Sequence, residues 1–159
     1  MLLALFALLS PANAQQTWTD TFSDNDISDW TNLDANVSVS SGVVQFNSTS
    51  HTGPDLIINP GMDGTESEYT VETRGAADGA MGLALAYSSS GTSCGVFIYA
   101  GATLYKWNPS TIETSIATIS YTTGPSTFHD LKAVVSSQNV DVYLNGTQIY
   151  SGDIGCGAV

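Results

Sequence analysis

The clearest pattern in the chain lies between Phe128 and Tyr150, where apolar and polar residues alternate. A period of two marks a strand with one buried face. Leu131, Ala133 and Val135 form the inward row of one strand, and Val142 belongs to the inward row of the next. Asn145-Gly146 suits a two-residue type I′ turn, because both central positions of that turn need positive φ. Such a turn sets Val142 opposite Ile149, facing inward, and Tyr143 opposite Gln148, facing out. The stretch therefore predicts a three-stranded antiparallel meander.

The rest of the chain reads in short strands. Trp18–Phe22 is expected as a strand, followed by a polar turn that ends on Trp30. Val37–Val39 and Val43–Phe46 flank Ser40-Ser41-Gly42 as a hairpin. Asp55–Ile58 is a short strand stopped by Asn59-Pro60-Gly61. Tyr69–Arg74 alternates cleanly. Met81–Tyr87 also alternates, with large residues on one face and Gly82, Ala84 and Ala86 on the other. Gly95–Ala100 and Thr103–Asn108 form a further hairpin, and Ile112–Tyr121 supplies one or two strands. No window carries a helical period. Many short strands punctuated by Gly and Pro predict an all-β fold, a two-sheet antiparallel β-sandwich or a barrel.

Charge narrows the partners. Three Lys and Arg stand against fifteen Asp and Glu, a net charge of -12 in 159 residues. Binding nucleic acid requires cations to neutralise phosphate, so nucleic acid and anionic lipid are excluded as main partners. Met1–Leu9 is an apolar run followed by Ala12-Asn13-Ala14, an A-x-A cleavage pattern. Residues 1–14 are read as a signal peptide and 15–159 as the exported domain, secreted or periplasmic. The apolar run is too short to span a bilayer, so no membrane insertion is expected. The usual basic segment before it is missing, which suggests a start further upstream. Cys94 and Cys156 make an even pair, as a disulfide in an exported chain would; two free thiols on neighbouring strands are the alternative.

Four segments carry a family resemblance. They are Asp20-Thr21-Phe22-Ser23-Asp24 with Trp30, and Tyr69-Thr70-Val71-Glu72 followed by Gly82–Tyr87. The others are Phe128-His129-Asp130-Leu131-Lys132 leading to Val142–Gly146, and Gly152-Asp153-Ile154-Gly155. Taken together, the chain resembles the concanavalin A-like lectin/glucanase jelly roll, especially its laminin G-like secreted members. The resemblance implies a jelly-roll sandwich over residues 18–159. It also implies one more strand after Gly155, so the sequence is expected to be truncated at both ends.

Candidate chemistry is sparse. Glucanases of that superfamily carry a Glu-x-Asp-x-x-Glu strand, and Glu66–Glu72 lacks both its Asp and its spacing. Glu68 and Glu72 would stand about 13 Å apart on a strand, beyond the roughly 5–9.5 Å that glycosidases use. His129 is read as a packing or backbone-bonding residue, and His51 as a loop residue. Asp24, Asp26 and Asp29, with Asp20 nearby, suggest a structural calcium site, since calcium takes several oxygen ligands; a solvated acidic turn is the alternative.

Aromatic faces stack on sugar C–H groups, and Tyr87, Tyr99, Tyr105, Trp107 and Tyr143 are candidates for this. Lys106 must reach water, which by parity assigns Tyr105 and Trp107 to the core. All three cations are expected outward, paired with Glu72 or Asp141. The expected ligand-binding residues are then Arg74, Tyr87, Lys106, Lys132 and Tyr143. Asn36, Asn47 and Asn145 head glycosylation sequons, but Asn145 is already explained by its turn. The resulting expectation is a secreted, non-catalytic, lectin-like module that binds polysaccharide or glycoconjugate. The alternatives are a glycoside hydrolase-like enzyme of the same superfamily and a structural or adhesive module of a larger surface protein.

Overall fold

The computed structural model describes residues 20–29, 31–32, 37–46, 57–58, 68–76, 80–87, 93–99, 103–108, 111–120, 122, 124 and 127–155. The fold is all-β: every regular element among the described residues is a strand, and every pairing is antiparallel. Residues 1–14 and Cys156 lie outside the described residues. No helix among the described residues is long and apolar enough to cross a membrane. The chain divides between Asn59 and Pro60 into two compact units.

The first unit holds four short strands, β1 (Thr31–Asn32), β2 (Val37–Ser40), β3 (Val43–Phe46) and β4 (Ile57–Ile58). β1 pairs with β4, and β2 and β3 form the expected hairpin. Its turn residues Ser41 and Gly42 both have positive φ, 55° and 72°. The strand expected over Trp18–Phe22 is not formed at Asp20–Phe22. The Asp20 carboxylate accepts the Phe22 N–H at 2.7 Å, and Phe22 has φ 53°. A short side chain bonded to the backbone two residues on makes a turn and removes that N–H from any ladder.

The second unit contains two four-stranded sheets. β5 (Glu68–Ala76), β10 (Phe128–Ser136), β11 (Asn139–Leu144) and β12 (Thr147–Asp153) form one, in the order β12-β11-β10-β5. β6 (Ala80–Tyr87), β7 (Ser93–Tyr99), β8 (Thr103–Asn108) and β9 (Thr111–Thr118) form the other, in sequence order. One core joins them. Leu83, Leu85, Val96, Ile98 and Leu104 come from the second sheet, and Leu131, Ala133, Val135, Val140, Val142 and Leu144 from the first. Ile154, just past β12, is fully buried among them. The Tyr69 hydroxyl of β5 donates to the Leu85 carbonyl of β6 and so ties the two layers together. Burial there raises the Tyr69 pKa above the usual phenol value.

The C-terminal meander forms as expected, and Asn145 and Gly146 take φ of 50° and 78°. One register differs. Tyr143 does face Gln148, but Val142 faces Tyr150 and not Ile149, because β12 is irregular there. An extra residue in one strand lets two neighbours lean toward the same side. Ile149 and Tyr150 both pack against the core as a result, where a regular strand would turn one away. The Tyr150 hydroxyl donates to the Asp153 carbonyl at 3.1 Å.

Candidate functional site

The two sheets carry different chemistry on their outer faces. On β6, β7 and β8 the core side holds Leu83, Val96, Ile98 and Leu104. Alternation then places Gly82, Ala84, Gly95, Phe97, Tyr99, Thr103, Tyr105 and Trp107 on the opposite side. The register sets Gly95 across from Trp107, Phe97 from Tyr105 and Tyr99 from Thr103. Phe97 and Tyr105 stack with centroids 5.2 Å apart and planes 15° apart. Trp107 joins them at 5.9 Å from Phe97, tilted by 50°. Tyr99 extends the strip and is 44% exposed.

This placement corrects two expectations. Tyr105 and Trp107 are not core residues, and Lys106 is not on the outward side. Lys106 lies across from the buried Val96 and shares its side with Leu104, yet it is partly exposed, as a long flexible stem allows. A lysine can occupy the core side near the end of a strand for that reason, and parity argued from it inverts the strand.

Glycine makes the strip possible. A Cβ on Gly95 would run into the Leu83 carbonyl oxygen and into the Trp107 indole, whose Cζ2 would be 2.6 Å away. A Cβ on Gly82 would meet the Phe97 Cβ and the Val96 carbonyl oxygen, each at 2.7 Å. Gly95→Ala is therefore expected to push Trp107 out of place and strain the β6–β7 pairing. Overpacking of this kind costs about 1–3 kcal/mol. The check is a urea midpoint together with tryptophan fluorescence; an unchanged midpoint and spectrum would contradict the close approach.

The outer face of the other sheet is ionic. Arg74 lies across from Asp130, with Nε 3.9 Å from the carboxylate and side chains 74% and 51% exposed. Such a pair is worth little in water. Arg74 thus pairs with Asp130 and not with Glu72 or Asp141. Lys132 lies between Glu72 and Tyr143 in register, with its ammonium 4.6 Å from the Tyr143 ring centroid. Gln148 donates to the Asp141 carboxylate at 3.0 Å. Of the five residues expected to bind ligand, Arg74, Lys132 and Tyr143 share this face and Lys106 stands on the other sheet. Tyr87 pairs with Ser93 in β6, and its side chain lies outside the described residues.

The N-terminal acidic loop is bound to itself. Asp24 accepts the Asp26 N–H at 3.1 Å. Asp26 accepts both the N–H and the hydroxyl of Ser28, each at 2.8 Å. Those two bonds lower the Asp26 pKa. Asp29 is exposed nearby. No group of three potential ligands among the described residues is arranged to hold a metal.

His129 is 8% exposed and bonds to backbone, as expected, and it also meets the hairpin turn. Asn145 Oδ1 accepts the Asp130 N–H at 3.0 Å, which orients its amide nitrogen toward His129 Nδ1, also at 3.0 Å. Nδ1 is then the acceptor, and Nε2–H donates to the Thr122 carbonyl at 2.8 Å. This network closes the turn from below. A shallow groove of about 490 Å³ beside it is lined by Thr118, Ser120, Leu144, Thr147 and Gln148, among others.

Phe97 did not stand out in the sequence. The signal was there: aligning the β7–β8 hairpin sets Phe97 against Tyr105, a cross-strand aromatic pair. No protein-family model matches the chain, and no curated protein or solved structure matches it significantly.

Proposed function

We propose that the chain is a secreted, non-catalytic carbohydrate-binding module whose sugar-binding surface is the Phe97–Tyr105–Trp107 strip. The observation that carries this reading is the contiguity of three aromatic rings on the side of the sheet away from the core. Aromatic rings offer apolar surface to the C–H faces of sugars; Phe97 and Tyr105, stacked on each other, keep one face each for this, and rigid sheet strands hold the rings in fixed relation. Small residues alongside leave room for an incoming ring. No carboxylate stands among the outward positions of β7 and β8 from Gly95 to Trp107, which favours binding over hydrolysis.

Export fits a disulfide between Cys94 and Cys156. Cys94 is 2% exposed, no described cysteine is free, and Cys156 is the only other cysteine of the chain. Calcium at Asp24, Asp26 and Asp29 would stiffen the N-terminal loop. The test is a binding screen against immobilised polysaccharides with wild type and Trp107→Ala, each with calcium and with chelator. Saturable binding to at least one polysaccharide, weakened about tenfold or more in the variant (~1.4 kcal/mol), is the expected result. Binding unaffected by chelator is expected for the strip itself. Absence of binding by folded wild-type protein would overturn the reading.

A further inference from the structure

Resting on that reading, we infer that the occupant is an uncharged, β-linked polysaccharide chain lying along β7 and β8. An acidic glycan and a single terminal sugar fit the strip less well. Length comes first. Trp107, the Phe97–Tyr105 pair and Tyr99 occupy three successive outward rows of the hairpin. Each row is two residues on, so the aromatic strip runs about 13 Å along the strands at ~3.3 Å per residue. One pyranose ring covers one row, and three rows call for a chain. Tyr99 ends the strip with 44% of its surface free, a position for a sugar unit beyond the one over Phe97 and Tyr105.

Beside the aromatic rows runs a shelf. The outward positions of β6 are Ala80, Gly82 and Ala84, across from Tyr99, Phe97 and Gly95. The rings rise over this low strand and make a step along which an extended chain has a floor and a wall. Such a wall selects sugars with flat C–H faces. Gluco- and xylo-configured β-linked pyranoses have them, because their substituents are equatorial and their C–H bonds axial.

Charge decides the class of polymer. The outward positions of β6, β7 and β8 from Ala80 to Trp107 include no ionised side chain. Glu72, Arg74, Asp130, Lys132 and Asp141 lie on the outer face of the other sheet, while in the aromatic sheet Lys106 is on the core side of β8 and Glu113 is in β9, its side chain outside the described residues. A uronate or sulfated chain would find no cation on the strip and would meet a protein of net charge -12. A neutral chain meets neither penalty.

The experiment is calorimetric titration of the full chain with glucose oligosaccharides, β-1,4- and β-1,3-linked, from the monosaccharide to the hexasaccharide. Alginate and heparin serve as acidic polymers, and all titrations are run at low and high salt. Affinity for one neutral series is expected to climb through the first three units, then level off, with no salt dependence. Tyr99→Ala should leave the shortest binding oligomer unaffected and weaken the longer ones about two- to tenfold. Tyr143→Ala, on the opposite sheet, should change nothing. Full affinity from the monosaccharide, or salt-sensitive preference for alginate or heparin, would overturn the inference and leave carbohydrate binding standing. Failure of the folded protein to bind any glycan would remove both.

Discussion

Leu131→Ala is expected to destabilise the second unit by about 2–5 kcal/mol. Leu131 is fully buried in the middle of β10, paired with Leu144 on one side and Thr73 on the other. It packs in the cluster that also holds Ile98 and Leu104 from the facing sheet. Truncation removes transfer energy and leaves a cavity that two hydrogen-bonded neighbours prevent from collapsing. Against a total stability of about 5–15 kcal/mol, the loss is a large fraction. Urea unfolding should show a lower midpoint with an unchanged slope. A loss below about 1 kcal/mol would mean that the two sheets do not share one close-packed core.

The second large effect concerns Cys94 and Cys156. A bridge between them closes a loop of about 60 residues, which chain-entropy arguments value at roughly 4 kcal/mol. Cys156→Ser is the better variant, because Cys94 is buried and its replacement would disturb the core as well. The melting temperature of the second unit, Pro60–Val159, should fall by more than 10 °C in reductant, since 1 kcal/mol moves a unit of about 100 residues by about 4–8 °C. The melting temperature of Cys156→Ser should be low with or without reductant. A wild type insensitive to reductant would show that the pair is not bridged.

Much of the fold was legible because strands with one buried face write their period into the sequence. β10 and β11 show it most fully: Leu131, Ala133, Val135, Val140, Val142 and Leu144 are all buried, at alternate positions within each strand. Asn145-Gly146 announced its turn through a backbone conformation few other pairs accept. His129 was legible in kind, as a residue bonded to backbone, but its partner Asn145 was known only as a turn residue. The Asn145 side chain does two jobs, and the second depends on where the turn sits over β10.

Where the reading of sites went astray, long side chains and irregular pairing were the cause. The charge of Lys106 suggests that it faces away from the core, and the core assignment of Tyr105 and Trp107 rests on that. A four-carbon stem lets lysine sit on the core side and still hydrate its charge. Leu104 was the better guide to parity, since a fully buried leucine has no polar end to save it. The Val142–Ile149 pairing failed on one extra residue in β12, which composition does not reveal. Asp20–Phe22 looked like a strand, but the Asp20 carboxylate competes for the N–H that a ladder would need.

The sequence by itself determined the all-β class, the position of most strands, the hairpin turn at Asn145-Gly146 and the net charge of -12. These follow from local period, from backbone preference and from summed charge, none of which needs distant contacts. Only the tertiary structure decided which residues share a face. It gathered Phe97, Tyr105 and Trp107 on one side of a sheet and set Arg74, Lys132 and Tyr143 on the outer face of the other. On a strand such as β7, where both rows are apolar, the strand's own residues do not say which side meets the core, and the facing sheet decides it.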